Sequence, residues 1–400
     1  AMRGIGKSFG THLALIAGSV LFGIPFAWLL LTSVKEDRDI FGNNGFTWKA
    51  YVTQRRDYFD PEDRVFQGNY ENQAVEATLI EKSNGRIRLD VLRPMALRGT
   101  TIAGNVADWK EIPKKIPLVT GTYEGVAIKG AAIKELEGGK RRVQIDEPAS
   151  LKGKVFEGLA KDVLDVREPG FNWKNYPDAI DFLPPDTSKG LLYVKNTLIL
   201  VALSVIGTVF SCTLVAYAFA RLQFYGKNFL FGVLMSTMML PAAVTMLPQF
   251  LIFRTLGWVD TLMPMWVPTF FAGAFNVFLL RQFFSTIPME LEDAAKIDGC
   301  HYARTLWQVM VPQIKPALAA ISIFTAMGAW NNFMGPLIYI SSPDKMPISY
   351  ALQLYASSRG GEYGLVAAAT TMSIIPVILL FFFAQKYFIE GVTLSGLGGR

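Results

Sequence analysis

Four acids, two alanines and a glycine crowd into one short stretch behind Pro288: Glu290, Glu292, Asp293, Ala294, Ala295, Asp298 and Gly299. Pro288 and acids in a first turn favour a helix N-terminus. Ala294-Ala295 offer a smooth surface for close helix approach, and Gly299 can stop the helix and turn the chain. The chemistry this pattern supports is recognition: a short, small-surfaced helix can dock in a groove of another protein. An ordinary amphipathic surface helix would show the same features. Other chemistries find little support. The chain has 2 cysteines, Cys212 and Cys300, and 2 histidines, His12 and His301, which gives no metal cluster and no disulfide framework. Gly6-Lys7-Ser8 resembles the end of a phosphate-binding loop, but it lacks the first glycine at the right spacing and a preceding strand, so it reads as chance.

The elements that must hold this stretch are apolar. Of 400 residues, 51% are apolar and 18% charged, below the ~25% charged of a soluble domain. Six windows are long enough to cross a ~30 Å hydrocarbon core as helices: Leu13 to Ser33, Leu198 to Ala220, Phe229 to about Phe253, Leu262 to Leu280, Ala317 to Ile340, and about Leu365 to Ala384. The first lacks a small-residue cleavage site before Lys35, which favours a retained helix over a signal peptide. The third contains Pro241 and Pro248. Proline interrupts helix hydrogen bonding, so this span is kinked or broken. The break is either packed away or lines a water-filled pathway.

Charge sorts the chain into two parts. Residues 36–190 hold 24 basic and 25 acidic side chains, and the rest hold 15 and 8. The overall +6 therefore sits in the apolar part. There the loop bias of membrane proteins explains it better than a nucleic-acid footprint. With the N-terminus cytoplasmic, ten Lys and Arg fall on the cytoplasmic side and five on the other, with Lys35, Lys195, Arg254, Lys345 and Arg359 making up the five. Both termini are then cytoplasmic and the polar insert is extracytoplasmic. The insert reads as mostly β. Arg86–Val91 alternates with period two and follows Ala74–Ile80 across Ser83-Asn84-Gly85, a hairpin signal. A second hairpin is expected from Ala131–Leu136 and Arg141–Ile145 around Gly138-Gly139. The fold expected is an α-helical polytopic membrane protein of about six spans, with a small β barrel or sandwich inserted between the first and second. The divisions are 1–38, 39–170 and 171–400.

The stretch behind Pro288 also has a recognisable spacing. Asp293-Ala294-Ala295, three residues, Gly299, nine residues, then Val309-Met310-Val311-Pro312 resembles the EAA loop of ABC-importer permeases. Aspartate stands for the usual glutamate, and adjacent Glu292 could substitute in a longer salt bridge. Tyr217–Leu222, Thr237–Pro241, Leu279–Phe284, Trp330–Phe333 and Gln385–Gly391 look like segments of the MalG-type permeases of carbohydrate importers. The resemblance covers 1–38 and about 171–400; residues 39–170 match nothing in that family, whose typical member has a short loop there.

The resemblance implies a permease subunit paired with a second, MalF-like permease. It implies two cytoplasmic ATPase subunits that bind the ATP and Mg, and an extracytoplasmic sugar-binding protein. The chain itself would hold no cofactor, catalyse nothing, and lie in the bacterial inner membrane among lipid, with no nucleic acid. Coupling to the ATPases would fall to Glu292, Asp293, Ala294, Ala295, Asp298, Gly299 and Pro312. Trp330, Asn331 and Asn332 stand mid-window in the fifth span. An interhelical hydrogen bond is their simpler role; amides and an indole also suit sugar hydroxyls and ring faces, which makes these three and Pro241 candidates for the substrate pathway. The substrate expected is an oligosaccharide. A polyol or glycerol-phosphate importer is the near alternative. An ATPase-independent secondary transporter is the distant one, since no acid or base stands in the middle of any of the six windows.

Overall fold

The structure is a computed structural model that describes residues 2–40, 47–71, 73–94, 97–184, 187–358 and 362–396. Arg359 and Arg400, which enter the charge comparison above, lie outside them. The chain divides into two compact units, Ala1–Pro185 with Ser358–Thr371, and Asp186–Ser357 with Met372–Arg400.

The first unit opens with α1 (Met2–Ser33). The most apolar stretch of its span His12–Ser33 has 0% of its residues buried within the protein, as suits a helix whose solvent is hydrocarbon; only the end of the span, at Thr32 and Ser33, is buried. Thirteen strands follow: β1 (Tyr51–Thr53), β2 (Arg55–Tyr58), β3 (Val65–Tyr70), β4 (Gln73–Ser83), β5 (Arg86–Arg93), β6 (Thr101–Asn105), β7 (Trp109–Ile112), β8 (Lys114–Tyr123), β9 (Val126–Leu136), β10 (Lys140–Glu147), β11 (Val155–Leu159), β12 (Val163–Asp165) and β13 (Arg167–Pro169). Both expected hairpins are present. Ser83 pairs with Arg86 across Asn84 and Gly85, at φ +48° and +77°. That left-handed pair is the reason Asn-Gly specifies a two-residue turn. Leu136 pairs with Lys140 around Gly138 and Gly139, at φ +78° and +70°.

The strands form two barrels of one design. In the first the order is β6-β5-β4-β3-β7. Its two edge strands are consecutive in sequence, joined by a single 3-10 turn, Val106–Asp108, so the sheet curls round on itself in an SH3-like strand order. In the second the order is β11-β10-β9-β8-β12, again with consecutive strands at the two edges. The sequences repeat as well. Gly68, Tyr70, Glu71 and Ala74 recur as Gly121, Tyr123, Glu124 and Ala127; Pro94, Leu97, Gly99, Gly104 and Asp108 recur as Pro148, Leu151, Gly153, Gly158 and Asp162. Each barrel buries its own apolar set. The first holds Phe66, Val75, Ala77, Ile87, Leu89, Val91, Ile102 and Trp109, and the second Val119, Ala132, Val143 and Val163. A fully buried aliphatic side chain of this kind contributes ~1.5–3 kcal/mol.

A polar network fastens the barrels within this unit. β1 pairs with β13, Tyr51 opposite Pro169, so the insert leaves and returns side by side. The Glu36 carboxylate accepts from Thr53 N at 3.1 Å and Thr53 Oγ1 at 2.6 Å. Burial opposes its charge, but those two bonds and the charges of Arg38 and Arg55 win and hold its pKa below the usual carboxylate range. Arg141 pairs with Asp165 at 2.9 Å. Asp37 Oδ1 accepts from Gly364 N at 2.7 Å. Asn175, which opens α2 (Asn175–Phe182), donates to the carbonyls of Ser33 and Lys35 at 2.9 Å each.

The second unit is helical. It runs through α3 (Leu191–Arg221), α4 (Lys227–Ser236), α5 (Ala242–Thr255), α6 (Met263–Trp266), α7 (Ala274–Thr286), α8 (Met289–Ile297), α9 (Tyr302–Arg304), α10 (Val311–Gln313), α11 (Lys315–Trp330), α12 (Met334–Tyr339) and α13 (Ile348–Ser358), with α14 (Tyr363–Gly396) completing the chain. Its core is Cys212, Ala216, Tyr217, Val277, Leu280, Phe284, Leu306, Met310, Ile314, Ala317 and Ile321, from α3, α7, α11 and the π turn Thr305–Met310. Gly207 on α3 permits the closest approach: a Cβ there would stand 2.5 Å from the Phe270 ring.

Among the described residues, 4 helices could cross a membrane by length and composition, or up to 6 if each bent pair is one span. One bent pair occupies the expected third window: Lys227–Met239 and Ala242–Thr255 meet at 101°, a broken span or a re-entrant loop, and Pro241 caps the second piece. Pro248 lies inside that piece without ending it. The fifth window differs from expectation. The helix that begins it stops at Trp330, and residues 334–339 form a separate short helix. Side chains join the backbone bonding at this point: Asn331 donates to the Met327 carbonyl from both N at 3.1 Å and Nδ2 at 2.9 Å, and Asn332 Oδ1 accepts from Gly335 N at 3.0 Å. The span, if completed, is completed on the other side, where Tyr302–Gln313 meets Lys315–Trp330 at 83°.

Candidate functional site

The stretch behind Pro288 is the helix α8, and its buried side is anchored by one arginine. Arg221, the last residue of α3, donates to the carbonyls of Phe284 and Ile287 at the end of α7. Its Nε lies 3.7 Å from Glu292 Oε1, with the two side chains 5% and 4% exposed. That separation is an ion pair rather than a hydrogen bond. Ala295 is buried one turn further on, at 6%. The small side chain is what lets this face of α8 lie close. The adjacent acid turns the other way: Asp293 is 61% exposed and pairs with Lys296 at 3.0 Å. Asp293 holds the Lys296 ammonium above its ordinary pKa.

The helix ends as the sequence leads one to expect. Asp298 N donates to Ala294 O at 3.0 Å, Gly299 N to Lys296 O at 3.0 Å and Cys300 N to Ala295 O at 2.9 Å. Gly299 makes this possible at φ +76°, with open space where a Cβ would stand. Behind α8 lies a cavity of about 400 Å³ lined by Tyr217, Glu292, Lys296, Cys300, His301 and Tyr302 among others. The outward face is apolar in part: Met289 is 50% exposed, Leu291 40% and Ile297 86%, with Ala294 between them. Such a helix, pinned on one side and apolar on the other, can carry a push to α3 and α7.

Glu292, Asp293, Ala294, Ala295, Asp298 and Gly299 are therefore one structural group. Pro312 is not of it; it lies exposed in α10, beyond the π turn. Arg221 was the residue that sequence reasoning left out of the group. Its signal was a lone cation closing an apolar run, at Tyr217–Leu222.

The other candidate group comes apart. Trp330 is 8% exposed and donates Nε1 to the Ser373 carbonyl at 3.3 Å, the interhelical bond that was its simpler reading. Asn331 and Asn332 sit at the end of α11 rather than mid-helix, and Ser349 Oγ donates to the Asn332 carbonyl at 2.7 Å. Pro241 stands exposed in the bend between α4 and α5. Asp260, unremarked in the sequence, joins two loops instead. It accepts from the amides of Ser341 and Ser342 at 3.0 and 2.9 Å, from Ser342 Oγ at 2.6 Å and from Lys345 Nζ at 2.7 Å.

A family model described as the binding-protein-dependent transport system inner membrane component matches residues 195–393. The chain is 35% identical over 216 residues to the arabinooligosaccharides transport system permease protein AraQ of Halalkalibacterium halodurans, covering 53% of this chain and 77% of that one. It is 32% identical over 230 residues to the polygalacturonan/rhamnogalacturonan transport system permease protein YtcP of Bacillus subtilis, covering 53% and 79%. Among solved structures it resembles a chain of a bacterial ABC transporter involved in the import of the acidic polysaccharide alginate, at 29% identity and TM-score 0.45, covering 50% of this chain and 75% of that one.

Proposed function

This chain belongs to the binding-protein-dependent transport system inner membrane components, the membrane permeases of ABC importers, and we propose that it is the MalG-like subunit of an importer for an oligosaccharide. The observation that carries the coupling part of this reading is the mount of α8, with Glu292 against Arg221 inside and Leu291, Ala294 and Ile297 outside. In this reading the outer face sits in a groove of a cytoplasmic ATPase. ATP binding, with its Mg, takes place in two such partners, and closure moves α8. Arg221 passes the movement to α3 and α7, because it ends the one and bonds the carbonyls at the end of the other. A second, MalF-like permease covers the exposed face of α5 and the turn before it, where Leu247 is 64% and Met239 83% exposed.

The substrate class rests on the two relatives named for transport of arabinooligosaccharides and of polygalacturonan/rhamnogalacturonan. Trp330, Asn331, Asn332 and Pro241 remain the pathway candidates; of these, Asn331 and Pro241 are exposed within this chain. Both termini face the cytoplasm and residues 39–170 lie outside, where an extracytoplasmic binding protein delivers the sugar. The divisions at 1–38, 39–170 and 171–400 belong to this reading. The test is purification under native conditions from the producing cell. An ATPase subunit and a second permease should accompany the chain, and ATP-dependent uptake of a saccharide should need the binding protein. Saccharide uptake by the chain alone, in vesicles without ATP, would overturn the reading.

A further inference from the structure

The two barrels are copies of one design, and they differ where the sheet fails to close. In both, a residue of the last strand lies opposite a glycine of the first: Trp109 opposite Gly68 and Val163 opposite Gly121. In both, a second glycine flanks that residue. A Cβ on Gly104 would stand 2.6 Å from Trp109 Nε1, and one on Gly158 would stand 2.9 Å from Val163 Cγ2. The seam is thus built the same way twice. What lies over it differs. In the second barrel Glu157 stands opposite Arg142 and pairs with it at 3.3 Å. The matching position in the first is Ala103, opposite Arg88, and Arg88 turns to Glu81 instead. The first seam opens into a cleft of about 650 Å³ lined by Gln67, Asn69, Tyr70, Ala103, Asp108 and Trp109 among others. That volume lies within the ~300–1,000 Å³ usual for small-molecule sites.

From this difference we infer that the first barrel carries a binding cleft for a neutral oligosaccharide. The inference rests on the carbohydrate-importer reading and extends it to a second site on the same chain. Gln67 and Asn69 are exposed amides, and each can donate to and accept from neighbouring hydroxyls. Asp108 is an exposed acceptor. Tyr70 and Trp109 give amphipathic walls. No Lys or Arg lines the cleft among the described residues, and Asp108 would repel a carboxylate, so an acidic sugar is disfavoured. The second barrel has threonines, Thr120 and Thr122, where the amides stand, and Glu157, paired with Arg142, where Ala103 stands. It serves as an internal control.

The test uses the full chain in lipid nanodiscs without the binding protein, titrated with arabinopentaose, cellopentaose and trigalacturonate by calorimetry and saturation-transfer NMR. A neutral pentasaccharide should bind saturably. Ala103→Glu, which restores the acid of the second barrel, and Asn69→Ala should each weaken it tenfold or more. Glu157→Ala should leave it unchanged, and trigalacturonate should bind at least tenfold more weakly. Three outcomes would each overturn the cleft: no saturable binding of either neutral sugar, wild-type binding by Ala103→Glu, or equal binding of trigalacturonate. Uptake by the assembled importer separates the two readings. If saccharide import persists while the cleft stays empty, only the cleft is lost; if the complex imports no saccharide, the importer reading itself fails.

Discussion

Glu292 and Asp293 are neighbours of the same charge with different work. One is buried against Arg221 and the other is exposed beside Lys296. Removing one partner of a buried pair leaves an uncompensated charge, at a cost of ~3–5 kcal/mol. Arg221 keeps its two carbonyl acceptors, so Glu292→Gln should fall at the lower end, about 3 kcal/mol. Asp293→Asn breaks only an exposed pair and should cost under ~1 kcal/mol. Thermal unfolding in detergent, with limited proteolysis around residues 287–300, should show a large drop for the first and almost none for the second. Equal effects would contradict this division of labour. At this scale the sequence was legible in type but not in direction. The run Glu292-Asp293 offers two acids to one role, and only the packing of α8 on α3 decides which faces inward. That the shorter aspartate faces out fits its reach.

At the scale of elements, turns carry the argument. Gly299 has open space around it, so substitution there strains the backbone rather than crowding a neighbour. An L-residue at φ +76° costs about 1–2 kcal/mol. Gly299→Trp should cut ATP-driven uptake strongly while sugar binding by the separate binding protein stays normal; wild-type uptake with the ATPase still bound would be a counter-result. Asp260 is the second such point. Its hydrogen bonds to Lys345 and Ser342, and to the amides of Ser342 and Ser341, pull its pKa well below the usual carboxylate range. A carboxyl depressed in the folded state stabilises above its unfolded pKa, ~3.9, and loses that contribution as pH falls through the folded value. The two loops should therefore stay joined at neutral and mildly acidic pH and part only in strong acid. Amide exchange at Ser341 and Ser342 should be faster in Asp260→Asn than in the wild type at pH 6, with the gap closing in strong acid. A break in the third window was readable from its prolines, but not which of them makes it: Pro241 caps a new helix while Pro248 sits inside one. The stop at Trp330 was not readable: Ala317 to Ile340 is one uncharged window, and the break shows only in the local bonding, where the Asn332 side chain takes the Gly335 amide.

The whole molecule is a permease chain carrying two barrels that share one plan. The hairpins were legible because Asn-Gly and Gly-Gly dictate local backbone. The repeat was legible too, in Gly-x-Tyr-Glu and in the glycines after Pro94 and Pro148, but it shows only when the two halves of residues 65–165 are laid over each other. The neck of the insert makes its role testable. Gln54 N donates to Val166 O at 3.0 Å, one residue from the Thr53–Arg167 pair of the β1–β13 ladder. Removing residues 55–165 and joining Gln54 to Val166 through two glycines therefore asks for no rearrangement of the neck. The loop it leaves is short, and closing it costs little. The residues that hold the neck to α1 mostly stay: Glu36 keeps Thr53, and Asn175 keeps Ser33 and Lys35. Arg38 loses Asp165. The helical part should then assemble with its partners as before. If the barrels dock to the binding protein or the second permease, as the extracytoplasmic position proposed for them suggests, uptake should fall and the binding protein's affinity for the complex should drop by tenfold or more. A single cysteine replacing Asn84, at the tip of the β4–β5 turn, checks the premise. It should react with an impermeant reagent on intact cells, and labelling only after lysis would place the barrels on the wrong side for this role. Wild-type uptake and wild-type affinity after the deletion would leave the barrels without a docking function, as a passive cover on the outer surface.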